Sequence, residues 1–180
     1  MIRLLAILVL LASLAACGGN VAPAPQEQFY RLQAAPLADA GDAAGLAVGR
    51  FSADSIYAER PLVYGDPGDS HTARQYHYHL WLYPPAQLVR DHLAQTLGAR
   101  QADFAERRIE GRVLRFDRVG RQAVVELELR VVQGREAIFD RRYAAEESAS
   151  GDGLRAHVEA SERALATIYG RFLADLRTRR

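Results

Sequence analysis

The clearest pattern of apolar and polar positions runs from Gln122 to Val132, where Val125, Leu127, Leu129 and Val131 alternate with Glu126, Glu128 and Arg130. A two-residue period of this kind predicts a strand with one buried and one wet face. Arg112 to Val119 and Glu136 to Glu146 flank it across Gly120-Arg121 and Gly134-Arg135, which predicts a three-stranded meander. Earlier in the chain, Phe29-Tyr30-Arg31-Leu32 suits a short opening strand, and Leu46 to Phe51 alternates as a second. Ile56 to Tyr64 is extended but broken by Arg60-Pro61, and a proline that cannot donate to a ladder points to an edge position. The polar loop Gly65 to Ala73 then leads into Gln75 to Tyr83 (QYHYHLWLY), an aromatic segment of strong β character, so these two segments are expected to form a hairpin.

Two segments carry the helical period instead. Pro84-Pro85 opens the first, because proline at a helix start gives up an N–H that has no intrahelical partner. Leu88, Val89, Leu93, Thr96 and Leu97 follow at three- and four-residue spacing up to Gly98. The second has its stripe at Leu154, Val158, Leu165, Ile168, Phe172 and Leu176, and Arg177 to Arg180 suit the negative end of its dipole. Several strands and two amphipathic helices predict an α+β fold. The expected form is a two-layer sandwich, a mixed, mostly antiparallel sheet with both helices on one face.

Composition narrows the chemistry. The 180 residues include 23 basic ones, all arginine, against 22 acidic ones. Without lysine there is no Schiff-base amine and no phosphate-loop Lys, so pyridoxal-phosphate enzymes and Walker-type NTPases are excluded. A formal charge of +1 supplies no basic field, and no nucleic-acid partner is expected. The single cysteine, Cys17, allows neither an internal disulfide nor a multi-thiolate zinc site.

Cys17 has a context of its own. Arg3 precedes an apolar block, Leu4 to Leu14, too short to cross about 30 Å of hydrocarbon as a helix. Leu14-Ala15-Ala16-Cys17 resembles a bacterial lipobox, in which the thiol receives a diacylglyceryl group. The expectation is a lipoprotein signal peptide at 1–16, an acylated N-terminus and tether at 17–28 (GGNVAPAPQEQ after Cys17), and one domain at 29–180. Acyl chains gain about 0.8 kcal/mol per buried CH₂, so attachment needs no polybasic patch. Gly18 follows the cysteine instead of an inner-membrane aspartate, which favours the periplasmic face of the outer membrane.

Candidate reactive groups are few. His77 and His79 at strand spacing would share a face, but no third metal ligand is evident beyond His71 and Asp69. Asp69-Ser70-His71 has the residue types of a hydrolase triad, yet adjacent residues do not form that relay and no G-x-S-x-G elbow exists. Glu106-Arg107-Arg108 and Arg141-Arg142 are arginine pairs suited to solvent or lipid headgroups. Strict alternation along the aromatic strand places Tyr76, Tyr78, Leu80 and Leu82 on one face and His77, His79, Trp81 and Tyr83 on the other. The second face, with Trp81 and Tyr83, is the candidate contact with a partner or lipid. No catalytic residue, metal or cofactor is expected.

Taken in order, the lipobox, Phe29-Tyr30-Arg31-Leu32, Arg60-Pro61-Leu62-Val63-Tyr64, and Tyr78-His79-Leu80-Trp81-Leu82-Tyr83-Pro84-Pro85 before a helix resemble the ABC-type transport auxiliary lipoproteins, the PqiC/YmbA-like family, over about residues 28–177. Leu82-Tyr83 depart from the pattern, which often has a small residue after the tryptophan. The resemblance implies a non-catalytic periplasmic component of a lipid-trafficking system, working with an ABC transporter and an MCE-domain protein. Cys17 would be the lipidation site, and Trp81, Tyr83 and Tyr64 the partner-binding residues. A homo-oligomer stays open, as does a carrier lipoprotein holding lipid in an apolar cavity.

Overall fold

Residues 23–38, 40–69 and 71–178 are described by the computed structural model of the chain; Cys17 lies outside them. The elements run β1 (Gln28–Tyr30), β2 (Ala47–Ala53), β3 (Pro61–Gly65), β4 (Arg74–Trp81), α1 (Pro85–Leu97), β5 (Arg107–Val119), β6 (Gln122–Gln133), β7 (Glu136–Ser148) and α2 (Leu154–Arg177), with 3-10 turns at Ala40–Ala43 and Ser55–Ala58. The sheet order is β1-β4-β3-β5-β6-β7, and β2 pairs with β5 beside β3. The fold is α+β, an open mixed sheet of seven strands with two helices, as the periodicities predict.

The meander is the centre of it. β5–β6 and β6–β7 are long antiparallel ladders, joined by turns in which Gly120 (φ +58°) and Gly134 (φ +59°) take the left-handed conformation at the first turn position. The odd positions Ala123, Val125, Leu127, Leu129 and Val131 of β6 are buried, as its alternation requires. β5 starts five residues earlier than its apolar pattern suggests. Arg108 extends it, bonding Glu110, the Ala105 carbonyl and the Gly134 carbonyl from one guanidinium.

One bulge keeps β5 in the core along its whole length. Val113 stands opposite Leu127 and Arg115 opposite Glu126, so Leu114 is the extra residue. Ile109, Gly111 and Val113 face inward before it and Phe116 after it, a change of parity that a bulge produces. At Gly111 the Phe51 ring of β2 lies where a side chain would begin, so the glycine makes room for the aromatic to cover the strand.

Pro61 is not at an edge. β3 lies between β4 and β5, and Pro61 is its first residue, opposite Leu80, where the missing N–H interrupts little of the ladder. The expectation erred because it considered the proline without its position in the strand.

Both helices cover one face. α1 begins at Pro85 and ends at Gly98, whose φ of 60° lets its N–H return to the Ala94 and Gln95 carbonyls. Leu88, Val89 and Leu93 of α1 join Leu165, Ile168, Tyr169 and Phe172 of α2 in a single buried cluster with the inner face of the sheet. His92 sits between the helices, its Nε2 3.2 Å from the Gln33 carbonyl and its Nδ1 3.4 Å from the Tyr169 hydroxyl. His157 of α2 is also buried, and its Nδ1 makes no hydrogen bond.

Burial pushes both imidazoles down to about 4, opposed at His92 by the Gln33 carbonyl and reinforced at His157 by Arg118. A folded value below the ordinary 6.5 means that the unfolded chain binds the proton first. Their contribution to stability is therefore complete above about pH 6.5 and is lost as pH falls toward 4. Urea unfolding at pH 7 and pH 4.5 is expected to differ, and His157→Leu should shrink that difference by about 2 kcal/mol.

Candidate functional site

The aromatic strand does not alternate strictly. Pro61 pairs with Leu80 but Val63 with Gln75, so β4 carries extra residues across that interval. The irregularity brings Tyr76 and His79 together, their rings edge-to-face at 5.5 Å, although alternation assigns them to opposite faces. The Tyr64 ring packs tilted against Tyr76 at 4.5 Å, and the Tyr30 hydroxyl lies 3.1 Å from His79 Nδ1. His79 is thus held within the sheet, whereas His77 points to solvent.

Trp81 is only 1% exposed, with its ring 5.0 Å from Phe116. This corrects its assignment as a contact residue. The face it shares with Tyr30 and His79 is the helix-covered one, so its indole fills the core. Tyr83, in the turn before α1, is 46% exposed, and Tyr64 lies half-buried near the other end of the β3–β4 hairpin. The three proposed contact residues therefore do not form one surface.

A different grouping does form. β1 runs parallel to β4 with Phe29 opposite Leu80, and the Leu82 N–H continues the pairing to the Tyr30 carbonyl. Because Tyr30 and Trp81 face the core, Phe29 and Leu80 face the helix-free side. Phe29 (49%), Tyr78 (45%) and Leu82 (37%) are exposed there beside Tyr83. Arg60 lies over the Phe29 ring at 5.1 Å while its Nε donates to the Trp81 carbonyl. Sequence reasoning missed Phe29 and Leu82, because pairing between β1 and β4, far apart in the chain, is what places them together.

The rest of the helix-free face is charged. Glu110, Arg130 and Asp140 stand in one row across β5, β6 and β7, and Arg112, Glu128 and Arg142 in the next, with signs alternating across the strands. Arg142 reaches Glu126 at 3.5 Å, and Arg112 bonds Asp54. On the helix side, Arg141 and the Tyr143 hydroxyl both bond Asp175 of α2. Of the arginine pairs of the sequence, Arg108, Arg141 and Arg142 are thus committed to intramolecular partners.

The remaining polar candidates are structural. Asp69 accepts from the His71 N–H and the Thr72 hydroxyl, closing its loop, and these bonds hold its carboxyl below the ordinary range. Ser70 lies outside the described residues. Asp117 is buried against Arg115, with both carboxylate oxygens bonded to Nε at 3.0 and 3.1 Å; burial raises its carboxyl and Arg115 opposes the rise. Among the described residues no group of three or more His, Cys, Asp or Glu side chains is placed to hold a metal ion. Nor, among them, is any helix long and apolar enough to cross a membrane.

The chain is thus a continuous sheet packed on two helices, with ion pairs on its open face and an apolar corner at β1–β4. Residues 30–170 match the family described as the ABC-type transport auxiliary lipoprotein component, and the chain belongs to that family. A crystal structure titled only as that of an uncharacterized protein shares 17% identity, covers 84% of this chain and 99% of its own, and superposes with a TM-score of 0.67. A protein from Xanthomonas campestris, of the family termed DUF330, shares 15% identity over 81% of this chain and 92% of its own, with a TM-score of 0.62. These likenesses concern the fold. Among curated proteins none matches the sequence.

The burial of Trp81 and the exposure of Tyr83 separate their roles. Trp81→Ala is expected to lower stability by about 3–5 kcal/mol, as aromatic truncations in cores do, while Tyr83→Ala changes it by less than about 0.5 kcal/mol. Thermal and urea unfolding of the two variants measure this directly.

Proposed function

We propose that this chain is a non-catalytic periplasmic lipoprotein, tied to the outer membrane through acylated Cys17, that acts as a docking component for an ABC transporter system with an MCE-domain protein. The observation that carries the proposal is the family match over residues 30–170, which contains strands β2 to β7, the last residue of β1 and most of α2. The lipobox-like Leu14-Ala15-Ala16-Cys17 supplies the anchor. Asp117, bonded to Arg115, and His92, placed between the Gln33 carbonyl and the Tyr169 hydroxyl, are held in structural contacts, which suits a component whose work is placement, not turnover.

Partner contact is proposed at the outer edge of β7, which pairs with no further strand among the described residues, since Trp81 is buried and Tyr64 packs on Tyr76. α2 covers part of that edge: Arg171 donates to the Ala144 carbonyl and Arg163 to the Ser148 carbonyl. By the two-residue period, Asp140 and Arg142 turn their backbone groups the same way as Ala144, and these are available for an added strand. The arginine caps would confine strand addition to the first half of β7 and protect the second from self-pairing.

Membrane extraction followed by affinity capture tests this. The acylated protein is expected to recover ABC-transporter and MCE-domain components, and Cys17→Ala to release a folded domain from the membrane. Mass spectrometry finding an unmodified thiol at Cys17 would refute the anchor. Arg142→Pro removes an outward N–H while sparing the ladder to β6, so it should reduce partner recovery at least tenfold with little change in unfolding midpoint. Undiminished recovery would exclude the β7 edge.

A further inference from the structure

We infer that the apolar corner formed by Phe29, Tyr78, Leu82 and Tyr83 rests on the lipid bilayer itself, fixing the orientation of the domain beneath its anchor. The inference depends on the acylation of Cys17 proposed above.

Three observations lead to it. The first is segregation. Of the six exposed large hydrophobic side chains among the described residues, four are at this corner, while Phe104 lies in the loop before β5 and Ile138 on β7. Elsewhere the same face of the sheet carries alternating charges that suit water. The second is the place where the chain enters. The stretch from Cys17 reaches the folded domain at Gln28, and Phe29 is the next residue. Gln28 stands eleven residues after Cys17, a stretch that reaches at most about 40 Å even fully extended, so an anchored Cys17 keeps this corner close to the headgroups. At that effective concentration a weak apolar contact is enough.

The third is chemistry. Phe, Tyr and Leu, with an arginine guanidinium over one ring, form the mixture that settles at a membrane–water boundary, where rings enter the acyl region and polar tips stay wet. Arg60 covers Phe29 in this way. Charge plays little part. The exposed Arg31 and Arg60 are offset by the exposed Glu27 and Glu59, so the contact would form on uncharged lipid and persist at physiological salt.

The sole cysteine permits a direct test, because its acylation leaves the mature protein without a free thiol. The full-length acylated protein, carrying either Leu82→Cys or Ile138→Cys, is labelled with a polarity-sensitive fluorophore. It is then bound to phosphatidylethanolamine–phosphatidylcholine vesicles containing a lipid-borne quencher. The label at position 82 is expected to shift to the blue and to be quenched at least threefold more than the label at 138. Adding Phe29→Ser and Tyr83→Ser to the Leu82→Cys protein should bring its quenching down to the level at 138, without releasing the protein from the vesicles.

Equal quenching at 82 and 138, with both labels open to an aqueous quencher, would overturn the inference while leaving the anchor intact. A label at 82 shielded from both quenchers would do the same, assigning the corner to a protein contact or a second copy. Incorporation of two labels per chain, with loss from the vesicles, would instead bring down the lipoprotein reading, and this inference with it.

Discussion

The sheet depends on β5 having both edges occupied. One edge pairs with β6 from Arg107 to Val119; the other is shared, with β2 along Arg108 to Val113 and β3 along Asp117 to Val119. A strand in this position must present apolar groups to the helices throughout, and a strict two-residue period interrupted by Arg115 and Asp117 would fail to do so. The extra residue Leu114 resolves the conflict by shifting parity, so that Phe116 reaches the core and meets Trp81. Asp117 then falls on the opposite face, where Arg115 offsets the cost of burying its carboxylate. The bulge thus links the N-terminal strands to the meander, and the Trp81–Phe116 contact ties the two sides of the joint together.

The same arrangement divides the helix-free face. Over β5, β6 and β7 the rows of alternating charge place each side chain opposite one of the other sign, and individually such exposed pairs are worth little. Their effect is to keep this area wet and unattractive to apolar surfaces. The β1–β4 corner has no such rows. Its apolar groups stay exposed because the helices are on the other side, and because β1 is only three residues long. A face open to solvent for most of its width and apolar at one end offers one place for an apolar contact.

The parts of the fold that sequence reasoning recovered are those with local causes. The alternation in β6, the glycine turns at Gly120 and Gly134, the Pro84-Pro85 helix start and the stop at Gly98 each depend on neighbours within a few residues. What it missed depends on distant pairing. Nothing near Tyr76 signals that β4 slips against β3, yet this shift brings Tyr76 to the side of His79 and invalidates strict alternation along the strand. Trp81 was thereby mistaken for a surface residue. Pro61 was misplaced for a related reason, since its position at the start of β3 becomes visible only when both neighbours are known. At the candidate site, Tyr83 is singled out by an alternation that the strand does not keep, whereas Phe29 and Leu82 acquire their meaning from the parallel β1–β4 pairing.

Sheet order also bears on how such a component would act. β1 and β7 are at opposite ends of the series β1-β4-β3-β5-β6-β7, five strand spacings apart, or about 24 Å at roughly 4.8 Å each. In the proposed arrangement the anchored corner and the partner edge lie at those two ends, with the β5 joint between them. Hydrogen-bonded ladders run across the sheet in that direction, so the separation is set by the sheet and not by a linker. In that arrangement the domain would act by holding one surface at a fixed distance from another. The long ladders of β5, β6 and β7 and the buried Trp81–Phe116 contact resist deformation of that span. The sheet would then supply the constraint once a partner is reached.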